Sequence, residues 1–426
     1  MHRSVLLRGA RQLLTLRGPA GPRRGSALRD LGIIENGAVL IYGGRIVEVG
    51  TSRRIENLAS ARQAQEIDAS GCVVMPGFVD SHTHMVSGPS CLNEYEAGDL
   101  SKADTESSEM ANKVLAGVKV VRTSSSRRLQ MLAGRLIENL LRHGTTTVEI
   151  KSGYGLEKGA EVKILRVISQ LHDRPMDVIP TFLGAHIIPP EFAGRPEDYI
   201  DWLNTDVLPL IRQRRLARFV DAVCHRDTFR FHQVKRHLEA ARQLGFDIKI
   251  HADQFHHSGA VRVAVELGAV SADDLQHADK DDIAILAQSQ TMATLLPGAN
   301  FHLRSSHYAP ARALIDQGAA VALASGFDPV TCPTGSMAAV ISLACSQMHM
   351  APAEAISAAT INGAHALGYA DRVGSLECGK QADLIVLDAS DYREIPYYFG
   401  MNLVILTMKN GEIIYRRGDV QCADKS

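Results

Sequence analysis

No run of about 18 apolar residues occurs anywhere in the 426-residue chain, so nothing in it reads as a membrane span. Charge of one sign is also missing: 46 Lys and Arg against 47 Asp and Glu leave a formal net charge of -1. That balance argues against a nucleic-acid or membrane-surface partner recruited by bulk charge. The seven cysteines include no Cys-x-x-Cys pair, and their scatter and odd number give no regular framework. They read as reduced thiols in a cytoplasmic protein. A Gly-rich phosphate turn after the first strand of the central region is absent too, which counts against a doubly wound nucleotide-binding sheet. Disorder is excluded by the 45% of hydrophobic residues.

What is present is strongly patterned. Residues 1–29 carry several arginines and no acidic residue, as an organelle presequence does. SVLLRGARQLLTL followed by GPAGPRRG reads better as a first β-strand and a turn, because its polar interruptions break any signal-type apolar region. Gly43-Gly44 and Asn410-Gly411 each sit between two alternating β-branched runs, at opposite ends of the chain. Both dipeptides suit two-residue type I′ hairpins, whose central positions need positive φ. DLIVLD adds a short apolar strand near the second hairpin. These pieces predict a small β-sandwich domain formed from both termini, residues 1–75 plus 372–426, with residues 76–371 inserted as a larger domain.

The inserted region alternates strand-like and helix-like segments. Strand candidates are CVVMPGFVDSHTH, TTTVEIKSG, DVIPTFLGAH, RFVDAVCH, DIKIHADQ, DDLQHA, TMATLLPG and AAVALASGFDP. Between them lie amphipathic stretches such as LQMLAGRLIENLLRHG and FHQVKRHLEAARQLG, each with a Gly near its end. Eight such alternations predict an α/β fold, a (β/α)8 TIM barrel, whose active site lies at the C-terminal ends of the strands.

The chemically interesting side chains cluster at those ends. His82 and His84 follow the first strand at i and i+2 spacing, which lets both face the barrel interior and chelate one metal ion. His251 closes the fifth strand and is the natural third ligand; a capping or core histidine is the plain alternative. Three neutral imidazoles suit Zn2+, Fe2+ or a similar ion. His186 and Tyr154 lie just past strand ends and are either ligand contacts or satisfied structural side chains. Lys151 ends the second strand and reads as a buried, salt-bridged lysine. The fourth strand ends in Cys224-His225 and supplies no lysine for bridging a second metal.

MPGFVDSHTH, TTVEIKSGYGL, PTFLGAHIIPPEF, IHADQF, YAPARALIDQGAAVALAS and AATINGAHALG followed by GSLECGKQADLIVLD cover nearly the whole chain. On these segments the chain resembles the amidohydrolase superfamily, and within it the imidazolonepropionases. The resemblance implies metal-dependent opening of the ring of 4-imidazolone-5-propanoate to N-formimino-L-glutamate, a step of histidine degradation, with water activated by one Zn or Fe ion. It implies His82, His84 and His251 as ligands, Tyr154 and His186 as substrate contacts, and Gln254 as a hydrogen bond to the substrate ring. A homodimer is implied by analogy with other barrels of this type.

Three departures fall on the expected site. The eighth-strand motif S-D-F-N-P of the family reads Ser325-Gly326-Phe327-Asp328-Pro329, so the metal-binding aspartate is replaced by a residue without a donor. Asp328 is the candidate substitute as ligand and catalytic carboxylate, although two residues along a strand displace it by about 6–7 Å. The family's S-A-D-H reads Ser271-Ala272-Asp273-Asp274, which makes Asp274 a candidate base or a mere helix cap. The arginine that grips the substrate carboxylate aligns with Cys91, and a thiol offers no bidentate fork. Losing such a contact weakens propionate binding by about 2–5 kcal/mol. Three readings follow: imidazolonepropionase activity retained through compensating residues, hydrolysis of another cyclic amide or amidine, or a catalytically inactive barrel.

Overall fold

The computed structural model describes residues 4–96, 107–171 and 175–418. The first described element is a long strand, β1 (Ser4–Leu14), as the SVLLRGARQLLTL pattern predicts. It pairs antiparallel with β2 (Ile33–Tyr42), which turns through Gly43-Gly44 into β3 (Arg45–Thr51). On its other side β1 pairs parallel with β4 (Gln65–Asp68) along its first half and with β5 (Val73–Pro76) along its second. The sheet forks where the register slips between Leu7 and Ala10. Gly9 sits in that slip at φ +77, and a Cβ there would lie 2.6 Å from the Ser70 hydroxyl, so only glycine fits.

The segment expected to be one strand up to the His82/His84 pair is divided between two sheets. β5 belongs to the accessory sheet and β6 (Phe78–Asp80) to the barrel. The chain crosses between them at Gly77, whose N–H reaches the Asp383 carbonyl and where a Cβ would meet the Thr146 side chain at 2.4 Å. Seven parallel strands follow: β7 (Thr145–Lys151), β8 (Asp177–Ala185), β9 (Phe219–Ala222), β10 (Asp247–Ala252), β11 (Ser271–Asp274), β12 (Met292–Leu295) and β13 (Val321–Leu323). Each pairs with the next in chain order, the register of a (β/α)8 barrel. Closure is made by an isolated bridge between Thr83 and Phe327, with the His84 N–H on the Phe327 carbonyl at 2.7 Å and the Ser325 N–H on Asp80 Oδ1 at 2.9 Å. The seam of the barrel therefore runs through the histidine pair.

The sixth strand lies earlier than expected, because Asp274 and Leu275 are both left-handed (φ +86 and +68) and end it. Outside the strands, the helix Ser126–Arg142 starts on Ser125, whose hydroxyl accepts the Arg128 N–H, and buries Leu129, Ala133, Ile137 and Leu140. The helix Phe231–Gln243 buries Val234, Leu238 and Ala241 in the same way. These spacings are the i, i+3, i+4 stripes that bind an outer helix ring to a barrel.

β14 (Leu384–Leu387), β15 (Val404–Lys409) and β16 (Glu412–Arg416) complete the accessory sheet. β14 pairs antiparallel with β5, so the two chain ends share one mixed sheet ordered β16-β15-β14-β5-β1-β2-β3, with β4 on β1. The tips of the two hairpins touch: a Cβ on Gly44 would lie 2.7 Å from the Asn410 carbonyl oxygen. One expectation fails in this domain. Cys72 is disulfide-bonded, so the cysteines are not all reduced; Cys91, Cys224, Cys332, Cys345 and Cys378 are free thiols. Among the described residues no helix is long and apolar enough to cross a membrane.

Candidate metal centre and active-site cavity

Past β6 the backbone stays extended, so His82 and His84 fall on the interior side, as their i and i+2 spacing predicts. His251, near the end of β10, joins them: the His82 ring lies 5.4 Å from that of His84 and 5.3 Å from that of His251, centroid to centroid. The three rings line one cavity of about 90 Å³ together with Tyr154, His186, Gln254, Gly326 and Asp328. The volume is enough for several waters or a small ring fragment.

Beneath the rings lies a charge network with no solvent exposure. Asp273 Oδ2 accepts from His82 Nδ1 at 2.7 Å, and its other oxygen accepts the Ser271 hydroxyl at 2.5 Å. Lys151 Nζ bonds Asp221 Oδ2 at 2.7 Å and Glu149 Oε1 at 3.1 Å; Lys249 Nζ bonds Glu149 Oε2 at 2.6 Å. Both lysines stand 3.5 Å from Asp273. Two ammonium groups thus face three carboxylates, leaving one negative charge in excess under the imidazoles. Burial alone would raise the Asp273 carboxyl, but Lys249, Lys151 and His82 hold it well below the usual range. It therefore stays an acceptor, fixes the proton of His82 on Nδ1, and leaves the Nε2 lone pair free. Asp80, buried as the last residue of β6, is pushed by burial to about 6.

The other imidazoles differ. Burial and the neighbouring rings of His82 and His186 keep His84 neutral, and its buried Nδ1 has no partner. His251 is opposed by burial yet raised by Asp274, whose Oδ2 stands 3.3 Å from its Nε2; the same nitrogen lies 3.2 Å from Gln254 Oε1. Asp274 is fully buried and its Oδ1 has no partner, so it is not a solvated helix cap. It backs His251 and does not itself line the cavity.

Asp328 does reach the cavity wall, but protein donors hold both its oxygens. Oδ2 accepts the Tyr154 hydroxyl at 2.5 Å, and Oδ1 accepts the N–H groups of Val330 at 2.8 Å and Thr331 at 3.2 Å. Burial raises its carboxyl despite these bonds. The structure thus brings it to the site without turning it to Gly326's expected task. His186 Nδ1–H donates to the Gly153 carbonyl at 3.0 Å, and its ring stacks on His84 with centroids 5.6 Å apart. Cys91 packs with Leu303, Val330 and Phe255 in a small apolar cluster. Among the described residues no lysine or arginine lines the cavity.

The loop that presents Tyr154 is held by a residue the sequence reading passed over. Glu161 is buried and accepts the N–H groups of Gly155 at 2.7 Å, Leu156 at 2.9 Å and Gly153 at 3.2 Å. Glu161→Gln keeps one oxygen but loses the charge-assisted bonds, and is expected to cost about 2 kcal/mol. Urea denaturation measures that cost. A midpoint unchanged from wild type would show that the loop holds itself.

The donor chemistry suits a borderline divalent ion: neutral imidazoles, a free Nε2 on His82, a partnerless Nδ1 on His84, and a net negative charge beneath. Two features count the other way. Gly326 brings no fourth donor, and the donor atoms of His82, His84 and His251 do not all come within 4.8 Å of one another. For His251 to serve, its Nε2 must be freed of the Asp274 and Gln254 contacts.

Profiles described as amidohydrolase family match residues 65–119 and 215–414. The imidazolonepropionase of Alkaliphilus metalliredigens is 38% identical over 417 residues, covering 98% of this chain and 99% of its own. That of Bacillus cytotoxicus is 41% identical, with 97% of each chain covered, and that of Parabacteroides distasonis 43%, with 96% and 98% covered. The chain belongs to the imidazolonepropionase family. Solved structures under 20% identical share the fold of this imidazolonepropionase-family chain. A zinc-bound adenosine deaminase from Xanthomonas campestris has a TM-score of 0.66 at 19% identity, covering 97% of this chain and 93% of that one. Guanine deaminase of E. coli gives 0.70 at 17%, with 98% and 100% covered; triazine hydrolase from Arthrobacter aurescens gives 0.71 at 18%, with 99% and 97% covered.

Proposed function

We propose that this imidazolonepropionase-family chain is a metal-dependent hydrolase that opens a cyclic amide by cleaving a ring C–N bond, acting on 4-imidazolone-5-propanoate in histidine degradation. The observation that carries the reading is the buried imidazole cluster of His82, His84 and His251 over an anionic network, on a chain about 40% identical to imidazolonepropionases along its whole length. His82, His84 and His251 would hold one zinc or iron ion. When bound, such an ion supplies Lewis-acid polarisation of a carbonyl and an acidified water.

The chain's own groups do the rest. Gln254 lines the cavity, and once it no longer holds His251 Nε2 its amide NH2 can donate to a substrate carbonyl. Asp274 takes the proton that His251 gives up. Asp328 lines the wall, and its carboxylate would take the proton of the attacking water and pass it to the departing ring nitrogen, for which Tyr154 must first release Oδ2. His186, its Nδ1 tied to the Gly153 carbonyl, presents Nε2 to the substrate. The cysteines outside any disulfide among the described residues agree with a cytoplasmic setting; the disulfide at Cys72 does not.

A specific observation favours a second reading of the substrate. With no lysine or arginine on the cavity wall among the described residues, a neutral cyclic amide without a propionate arm fits as well. The test is turnover of freshly generated 4-imidazolone-5-propanoate, beside neutral hydantoin-like and lactam rings, by protein loaded with Zn2+ or Fe2+. Consumption of the propanoate is the expected result. Turnover of neutral rings alone would move the substrate to the second reading, and silence on all of them with metal bound would leave an inactive barrel.

A further inference from the structure

Asp253, His257 and Asp282 lie together outside the cavity. Asp253 follows β10 directly, His257 stands on the loop after it, and Asp282 is in the first turn of the helix Lys280–Gln288. A carboxylate oxygen of each aspartate and a ring nitrogen of His257 lie within 4.8 Å of one another. Two carboxylates so placed repel, and burial removes the water that would screen them.

The hydrogen bonds leave each aspartate half satisfied. Asp253 Oδ1 accepts the Ser258 N–H at 2.8 Å and the Ser258 hydroxyl at 2.5 Å, which fixes the side chain, while Oδ2 is buried without a partner. Asp282 Oδ2 takes the Asp279 N–H at 3.2 Å and stands 3.2 Å from His257 Nδ1, while Oδ1 is buried without a partner. The two side chains are 1% and 0% exposed. No lysine or arginine forms an ion pair with either among the described residues. An imidazolium at His257 would answer only one oxygen of four. Burial first, and the charge of Asp253 after it, pushes the Asp282 carboxyl to about 6, so the pair is short of a cation.

We propose that Asp253, His257 and Asp282 form a second metal site, taking a divalent ion of the zinc, cobalt or manganese class. One imidazole nitrogen and two carboxylate oxygens are the donor set such ions share, whereas magnesium and calcium prefer oxygen alone. His257 is partly exposed, which gives the ion a way in and leaves room for water on its open side. Because Asp253 lies between His251 and Gln254, the ion pins the segment that presents Gln254 to the cavity against the neighbouring helix. Its role is positional.

The test uses the full-length chain stripped of metal and titrated with Zn2+ and Co2+, reading bound ion per chain after gel filtration and the Co2+ absorption spectrum. His257→Ala and Asp282→Asn are each expected to bind one ion fewer per chain than wild type, or to bind it at least tenfold more weakly. His257 is exposed enough that its loss leaves folding intact, and Asn at 282 keeps an acceptor for the Asp279 N–H. The deficit is expected to persist in a His82→Ala background, where an ion at the barrel centre is removed separately. Equal stoichiometry and equal midpoints in wild type and both variants would overturn the proposal, as would a wild-type chain whose every bound ion is lost on replacing His82.

Discussion

Asp273→Asn is expected to lower both metal retention and turnover by about 10- to 100-fold, the range seen when the partner behind a ligating histidine is lost. The carboxylate fixes the His82 proton on Nδ1. An asparagine amide can present its NH2 to that nitrogen instead, which moves the proton to Nε2 and takes away the lone pair that faces the cavity. Stability falls as well. Lys151 and Lys249 each stand 3.5 Å from Asp273, and breaking a buried pair costs about 3–5 kcal/mol when a charge is stranded. Here the cost falls near the lower end, because Glu149 and Asp221 still answer both lysines. Asp274→Asn is the matching control: it touches His251 but neither lysine, so it is expected to leave urea stability closer to wild type while impairing turnover. Metal content after dialysis, turnover, and urea midpoints for both variants check this. Wild-type metal retention in Asp273→Asn would sink the assignment of His82 as a ligand oriented from below.

Much of this architecture is legible in the sequence. Two Gly-containing hairpins, the HxH pair and the strand candidates other than the first and the sixth fall where period, turn chemistry and strand ends put them. The network under the histidines is not. Glu149 and Lys151 in TTTVEIK, Lys249 and His251 in DIKIHA, and Ser271 and Asp273 in SADD are all spaced i and i+2, so each pair shares one face of its strand. Charged residues inside otherwise apolar strands were the available signal. Which of Asp273 and Asp274 faces His82 depends on register, and it is the pairing of His251 with Asp273 that puts Asp273 on the inner row. Asp274 then reaches His251 only because the backbone turns left-handed at that residue, a feature that no periodicity reports. The split of the first barrel strand at Gly77 was hidden for a similar reason: VVMPGFVD is continuous in pattern, and only the packing of Thr146 against Gly77 shows where one sheet hands over to the other.

Gly326→Asp is the gain-of-function counterpart, because it returns a carboxylate to the eighth strand. Space is available: the three atoms nearest a Cβ at this position would all be Leu296 side-chain atoms, at 3.5 Å and beyond. The cost is conformational. Gly326 has φ +64, and a left-handed residue other than glycine costs about 1–2 kcal/mol, with aspartate among the side chains that tolerate it best. Without metal the variant is therefore expected to unfold at slightly lower urea than wild type. With Zn2+ the order reverses, since an anionic donor beside neutral imidazoles is expected to tighten binding at least tenfold, about 1.4 kcal/mol, and bound metal stabilises the folded chain by mass action. Turnover separates the readings of the wild-type chain. If Asp328 already does the proton work, a new carboxylate next to it raises activity little; if the barrel is silent because the eighth-strand donor is gone, Gly326→Asp is the substitution that restores it. A folded variant with unchanged zinc affinity would mean that the ion does not sit among His82, His84 and His251, and the cavity would then be a binding pocket without a metal at its centre.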